Sequence, residues 1–196
     1  MGIETRGGAE PRVTRQWTVD ELRRVTTDQR HRYELVAGFL SVRSLPGARH
    51  REVVARLAER MLAHARAHHD GAVFDWHTAF TLHHEPDTVR APDLSFVCRL
   101  ADADVSEPPA SVEGAPDLAV LVLDDGDSAM DTEDRVAEYL TAGTRLVWIA
   151  NPRRPSVAVH ARDVATRHLG PDDVLAGDDV LPGFACPVRA LFADDR

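Results

Sequence analysis

The chain contains no lysine: all 23 of its basic residues are arginines. Chemistry that requires a lysine is therefore excluded in its standard form. Long apolar runs are also missing. No window supplies the roughly 18 apolar residues that a membrane-spanning helix needs. The opening stretch MGIETRGGAEPRVTRQW has no apolar centre of the secretory kind. Gly2 is present, but Arg6 stands where a myristoylation signal has a small hydroxyl residue. These absences predict a cytoplasmic protein with no membrane partner. Cysteine is scarce. Cys98 and Cys186 form no CxxC pair, which argues against a disulfide framework or structural zinc and leaves two reduced thiols. There is no GxSxG, no P-loop and no GxGxxG, so acyl transfer, P-loop nucleotide hydrolysis and dinucleotide redox chemistry lack support.

What is present fits one globular domain. The 196 residues are 43% hydrophobic and 28% charged, enough for a sizeable core. The net charge of −9 is unevenly spread: residues 1–66 carry 13 arginines against 8 acids, and the remainder 10 against 24. Overall acidity argues against broad nonspecific nucleic-acid binding, which is driven by phosphate neutralisation, and leaves open a local basic surface in the N-terminal third.

Residues 1–16 are polar and are expected to form a disordered tail, with a single domain over 17–192. In TVDELRRV (18–25), Thr18 and Glu21 make a capping box for a short helix with Val19, Leu22 and Val25 on one face. RYELVAGFLSV (32–42) predicts a hairpin turning at Ala37-Gly38. Apolar residues at helical spacing predict a long helix over about 48–68, ended by Gly71. Strands are expected near 73–76, 79–83, 92–98, 117–123 and 145–152, with a loop over 101–115. A helix over 131–142 closes on Gly143. SVAVHA and ATRHL predict a terminal antiparallel pair, and a last short helix starts from Pro187. The helical crossover between strands 117–123 and 145–150 is long enough to make them parallel. The order predicts an α/β (α+β) domain with a central mixed β-sheet flanked by helices.

Four stretches then line up: RYELVAGFLSV with Glu34, ARHREVVARL with His50, VRAPDLSFV with Asp93, and PDLAVLVL followed by DTEDRVAEYLTAGTRLVWIANP. With LPGF near the end, they resemble the Uma-type (Uma-two) restriction endonuclease family, widespread in bacteria and part of the PD-(D/E)XK nuclease superfamily. The resemblance covers roughly residues 17–192. It implies a restriction-endonuclease-like fold and metal-dependent hydrolysis of DNA, with carboxylates holding Mg2+ or Mn2+ and a nearby lysine assisting the attacking water. Asp93 matches the family's metal-binding aspartate, and Glu34 an acidic residue from the N-terminal part. His50 matches a histidine common at that point. The family's glutamate falls on Leu121, and its lysine, fourteen residues later, on Arg135. Leucine cannot ligate a cation, and arginine keeps the charge but cannot act as a base.

The acidic turn DDGDSAMD raises the question of compensation. Asp124 and Asp125 could join Asp93 and Glu34 as metal ligands. The blander reading, which we favour, makes them turn formers and helix N-terminal charges, with Ser128 and Asp131 as a capping pair. His64 and His68 have i, i+4 spacing but no third ligand, and are expected to be solvated at the helix end. His83, His84 and Glu85 read as surface residues, and Trp17, Trp76 and Trp148 as core packing. Two functions follow. One is a magnesium-dependent endonuclease acting on DNA, plausibly as a homodimer, with Arg135 as an electrostatic substitute for lysine. The other is a degenerate relative that binds no metal and serves a protein partner or other ligand.

Overall fold

The structure, a computed structural model, describes residues 15–24, 31–98 and 109–192. The expected tail falls almost entirely outside these residues, as do Val25 and most of the expected 101–115 loop. Helix α1 (Val19–Leu22) has the capping box read from the sequence: the Thr18 hydroxyl accepts from the Glu21 N–H while the Glu21 carboxylate reaches back to the Thr18 N–H. Strands β1 (His31–Val36) and β2 (Phe39–Ser44) form the expected hairpin. Ala37 and Gly38 both take positive φ, 49° and 78°, as a tight two-residue turn requires.

Helix α2 (Ala48–His68) buries His50, Val53, Leu57, Met61 and Ala65 along one stripe. His50 is the first member of that stripe, so the helix carries an imidazole to the point where its apolar face begins. The helix stops at His69, left-handed with φ 52°, and not at Gly71. Gly71 has a different task. A Cβ there would lie 2.4 Å from Phe96 Cζ, so only glycine lets the chain pass the ring.

The remaining elements are β3 (Ala72–Asp75), β4 (Ala79–His83), β5 (Thr88–Arg90), β6 (Leu94–Val97), β7 (Ser111–Glu113), β8 (Leu118–Val122), α3 (Ala129–Ala142), β9 (Leu146–Asn151), β10 (Ser156–Ala161), β11 (Val164–Leu169), β12 (Val174–Gly177), β13 (Leu181–Pro187) and α4 (Arg189–Phe192). The strands make two large sheets instead of one central sheet. The first has order β2-β1-β5-β4-β7 and the second β11-β10-β9-β8-β6-β3, with β12 and β13 as a separate pair. Both large sheets are mixed: β8 and β9 run parallel, as the crossover predicts, and so do β4 and β7. The fold is thus α+β with mixed sheets and flanking helices.

VRAPDLSFV is not one strand. Arg90 ends β5 in the first sheet, Leu94 starts β6 in the second, and Ala91-Pro92-Asp93 bridges them. Proline has no N–H to give a ladder, which suits it to this break. In β8, Leu118, Val120 and Val122 join the α2 side of the core, while Ala119 and Leu121 face a smaller cluster with Val136 and Tyr139 of α3. Cys98 and Cys186 are free, as expected. Among the described residues no helix is long and apolar enough to cross a membrane.

Candidate functional site

The bridge between the sheets sets Asp93 at their junction. Strand alternation puts Arg32 and Glu34 on one face of β1, both buried, and the pair meets Asp93 and Arg90 there. Asp93 is 3% exposed, and both its oxygens are engaged. Oδ1 accepts from Arg32 Nη2 at 2.8 Å and faces His50 Nε2 at 3.2 Å; Oδ2 accepts from the Val122 N–H at 2.7 Å. Burial by itself would raise this carboxyl. The Arg32 charge, the His50 contact and the Val122 N–H outweigh it and hold the group well below the usual aspartate range.

Glu34 is fully buried and equally occupied. Arg90 Nη1 donates to Oε2 at 3.0 Å, the Ala91 N–H to Oε1 at 2.9 Å, and Arg135 Nη2 approaches Oε1 at 3.5 Å. Burial again pushes upward, but the charges of Arg135 and Arg90, the Ala91 N–H and Arg32 bring the group down to about 2. Arg90 in turn gives its Nε to Glu138 of α3 at 2.6 Å. Glu34, His50, Asp93 and Arg135 therefore lie in one network. Arg32, Arg90 and Glu138 also belong to it, and sequence reasoning did not assign them. The signals were present: Arg32 stands two residues before Glu34 on a strand, hence on the same face, and Arg90 precedes Asp93 in VRAPD.

The acidic turn behaves differently. Asp124 Oδ2 accepts from the Gly47 N–H at 3.2 Å, at the N-terminus of α2. Asp127 pairs with Arg43 and accepts from the Asp124 N–H. Both line a small pit with Arg32, His50, Asp93, Val122 and Arg135. The pit holds about 30 Å³, room for little more than one water molecule. Asp125 is not brought there: it points to solvent, with its side chain 94% exposed, and pairs with Arg153 at 2.8 Å. Asp131 lies at the start of α3, where Ser128 Oγ accepts from its N–H and donates to its carboxylate. Leu121 is 2% exposed inside the apolar α3 cluster and does not line the pit. Among the described residues no three His, Cys, Asp or Glu side chains gather as a metal-holding group. Among the described residues, two nitrogens in the pit lining have no hydrogen-bond partner: Arg135 Nε and His50 Nδ1, both buried.

Two expectations outside the pit are corrected. The His64 side chain is not solvated: it is 8% exposed, stacks on His68 at 4.0 Å, meets the Phe184 ring edge-on and faces Asp70 at 3.4 Å. Trp148 is a core residue, but Trp76 is only partly buried and stacks on His77 at a cavity wall.

Comparison with known proteins agrees with this architecture. The family model described as Uma2, putative restriction endonuclease, matches residues 19–189. A crystal structure from Anabaena variabilis, titled a putative nuclease belonging to DUF820, superposes with a TM-score of 0.75 over 89% of this chain and 97% of that one, at 18% identity. That identity supports a shared fold. No curated protein matches the chain.

Proposed function

This chain belongs to the Uma2 family of putative restriction endonucleases, and from that premise we propose that it is a nuclease-fold protein whose metal-dependent phosphodiester hydrolysis is weak or lost, the fold being kept as a binding module. One observation carries the reading: the two buried carboxylates that the family resemblance assigns to metal are each neutralised by arginine. Arg32 takes Asp93, and Arg90 with Arg135 takes Glu34.

A hard divalent cation needs several oxygen ligands with free lone pairs. Here guanidinium, imidazole and backbone N–H donors already occupy those oxygens, and the position of the family's glutamate is Leu121, packed on Tyr139. Asp124 and Asp127 are tied to Gly47 and Arg43. The residues present do not suit a resident Mg2+ or Mn2+. Arg135 cannot accept a proton from water, so it does not replace a lysine base.

The test is nicking of supercoiled plasmid DNA with magnesium or manganese. The wild type is expected to show no metal-dependent nicking. Efficient wild-type nicking that Asp93→Asn removes would overturn the reading. It would favour instead the second one, a metal-dependent DNA endonuclease, which draws its support from the meeting of Glu34, His50, Asp93 and Arg135 at one junction.

A further inference from the structure

We propose that the large cavity sharing Arg32 with the pit is a nucleotide-binding pocket, which stacks a base on Trp76 and takes its phosphate at Arg23 and His77. The cavity holds about 540 Å³, within the range of small-ligand sites and large enough for a base with its sugar and phosphate. Its rings come from strand β1 and the β3–β4 turn. Trp76 and His77 stack at 4.0 Å, while Tyr33 and His31 meet edge-on at 6.2 Å. The floor is apolar. No aspartate or glutamate lines it among the described residues, although the chain carries 32 acids. A cavity with arginine, histidine and aromatic walls in an acidic protein selects an anion with a flat ring.

The charges are graded in a useful way. Arg32 spends its charge on Asp93 and the Ala91 carbonyl, and its guanidinium lies 5.3 Å from the Trp76 ring centroid. It thereby holds the ring in place without demanding an anion itself. Arg23 is half-exposed at the rim, and among the described residues it contacts Ser111 Oγ at 3.1 Å, Glu113 at 3.4 Å and Asp20 at 3.6 Å. Such exposed pairs are worth little and exchange readily for a phosphate. His77 is likewise exposed, paired with Asp75. Tryptophan gives the best π-face for a base, and stacking tolerates any base.

The test is calorimetric titration of the full chain, in EDTA, with thymidine monophosphate, thymidine, inorganic phosphate, indole and a short oligothymidylate. EDTA separates this proposal from the question of cleavage. Thymidine monophosphate is expected to bind saturably, more tightly than thymidine or phosphate alone, and the oligonucleotide at least as tightly. Trp76→Ala should weaken all nucleotides roughly tenfold or more, and Trp76→Phe should recover much of that. Arg23→Ala should weaken the monophosphate and leave thymidine unchanged. Ala110→Trp, which fills the cavity wall, should abolish binding without changing thermal unfolding. No saturable binding at millimolar nucleotide, unchanged affinity in Trp76→Ala, phosphate binding as well as the monophosphate, or indole competing equally with it would each overturn the proposal.

Discussion

Arg32 and Asp93 form a pair that neither can leave cheaply. Both are buried. Removing one partner of a buried pair typically costs about 3–5 kcal/mol, because the other is left uncompensated. Arg32→Ala should therefore lower stability by that order in urea unfolding, far more than Arg153→Ala, whose partner Asp125 is exposed. Acid should act on the same network. Glu34 is held at about 2 against an ordinary 4.5, so the unfolded chain binds its proton first. Its contribution is complete above pH 4.5 and lost as pH falls from there toward 2, on the order of 3 kcal/mol in all. Glu34→Gln should flatten that part of the acid-unfolding curve. An unchanged curve would mean that Glu34 is not ion-paired. At this scale the sequence made Glu34, His50, Asp93 and Arg135 legible through motifs. It did not reveal what neutralises them, because Arg90 and Glu138 meet only once β5 and α3 are packed together.

Elements with strong local signals were the most legible. The α1 capping box, the Ala37-Gly38 hairpin and the α3 cap at Gly143 each have a side chain or backbone reason within a few residues. Strands β5, β7 and β12 were not legible. They span three or four residues, and each exists only through its partner: β7 lies parallel to β4, β5 between β1 and β4, and β12 against β13. Two substitutions check the local accounts. Ser128→Ala should cost about 1 kcal/mol by removing the α3 N-cap bond. Gly71→Ala should cost about 1–3 kcal/mol, since its Cβ would meet Phe96 and the Val97 carbonyl. Gly126→Ala, whose Cβ would meet nothing within 4 Å, is the matched control and should change stability little. Equal effects at 71 and 126 would contradict the close-approach argument.

For the whole molecule, a charged seam joins two sheets. Arg32 and Glu34 reach from β1, Arg90 from β5, His50 from α2 and Arg135 from α3, all toward the Ala91–Asp93 bridge. Arginine supplies every cation of that seam apart from the His50 ring, in a chain that has arginine and no lysine. A ligand that binds only the folded state adds about 2.7 kcal/mol at one hundred times its dissociation constant. Magnesium and EDTA should therefore leave the thermal unfolding of the wild type unmoved. The most direct measurement is calorimetric titration with Mn2+ of the wild type and of Asp93→Asn. The account predicts no saturable binding in either. Saturable wild-type binding that depends on Asp93 would contradict it.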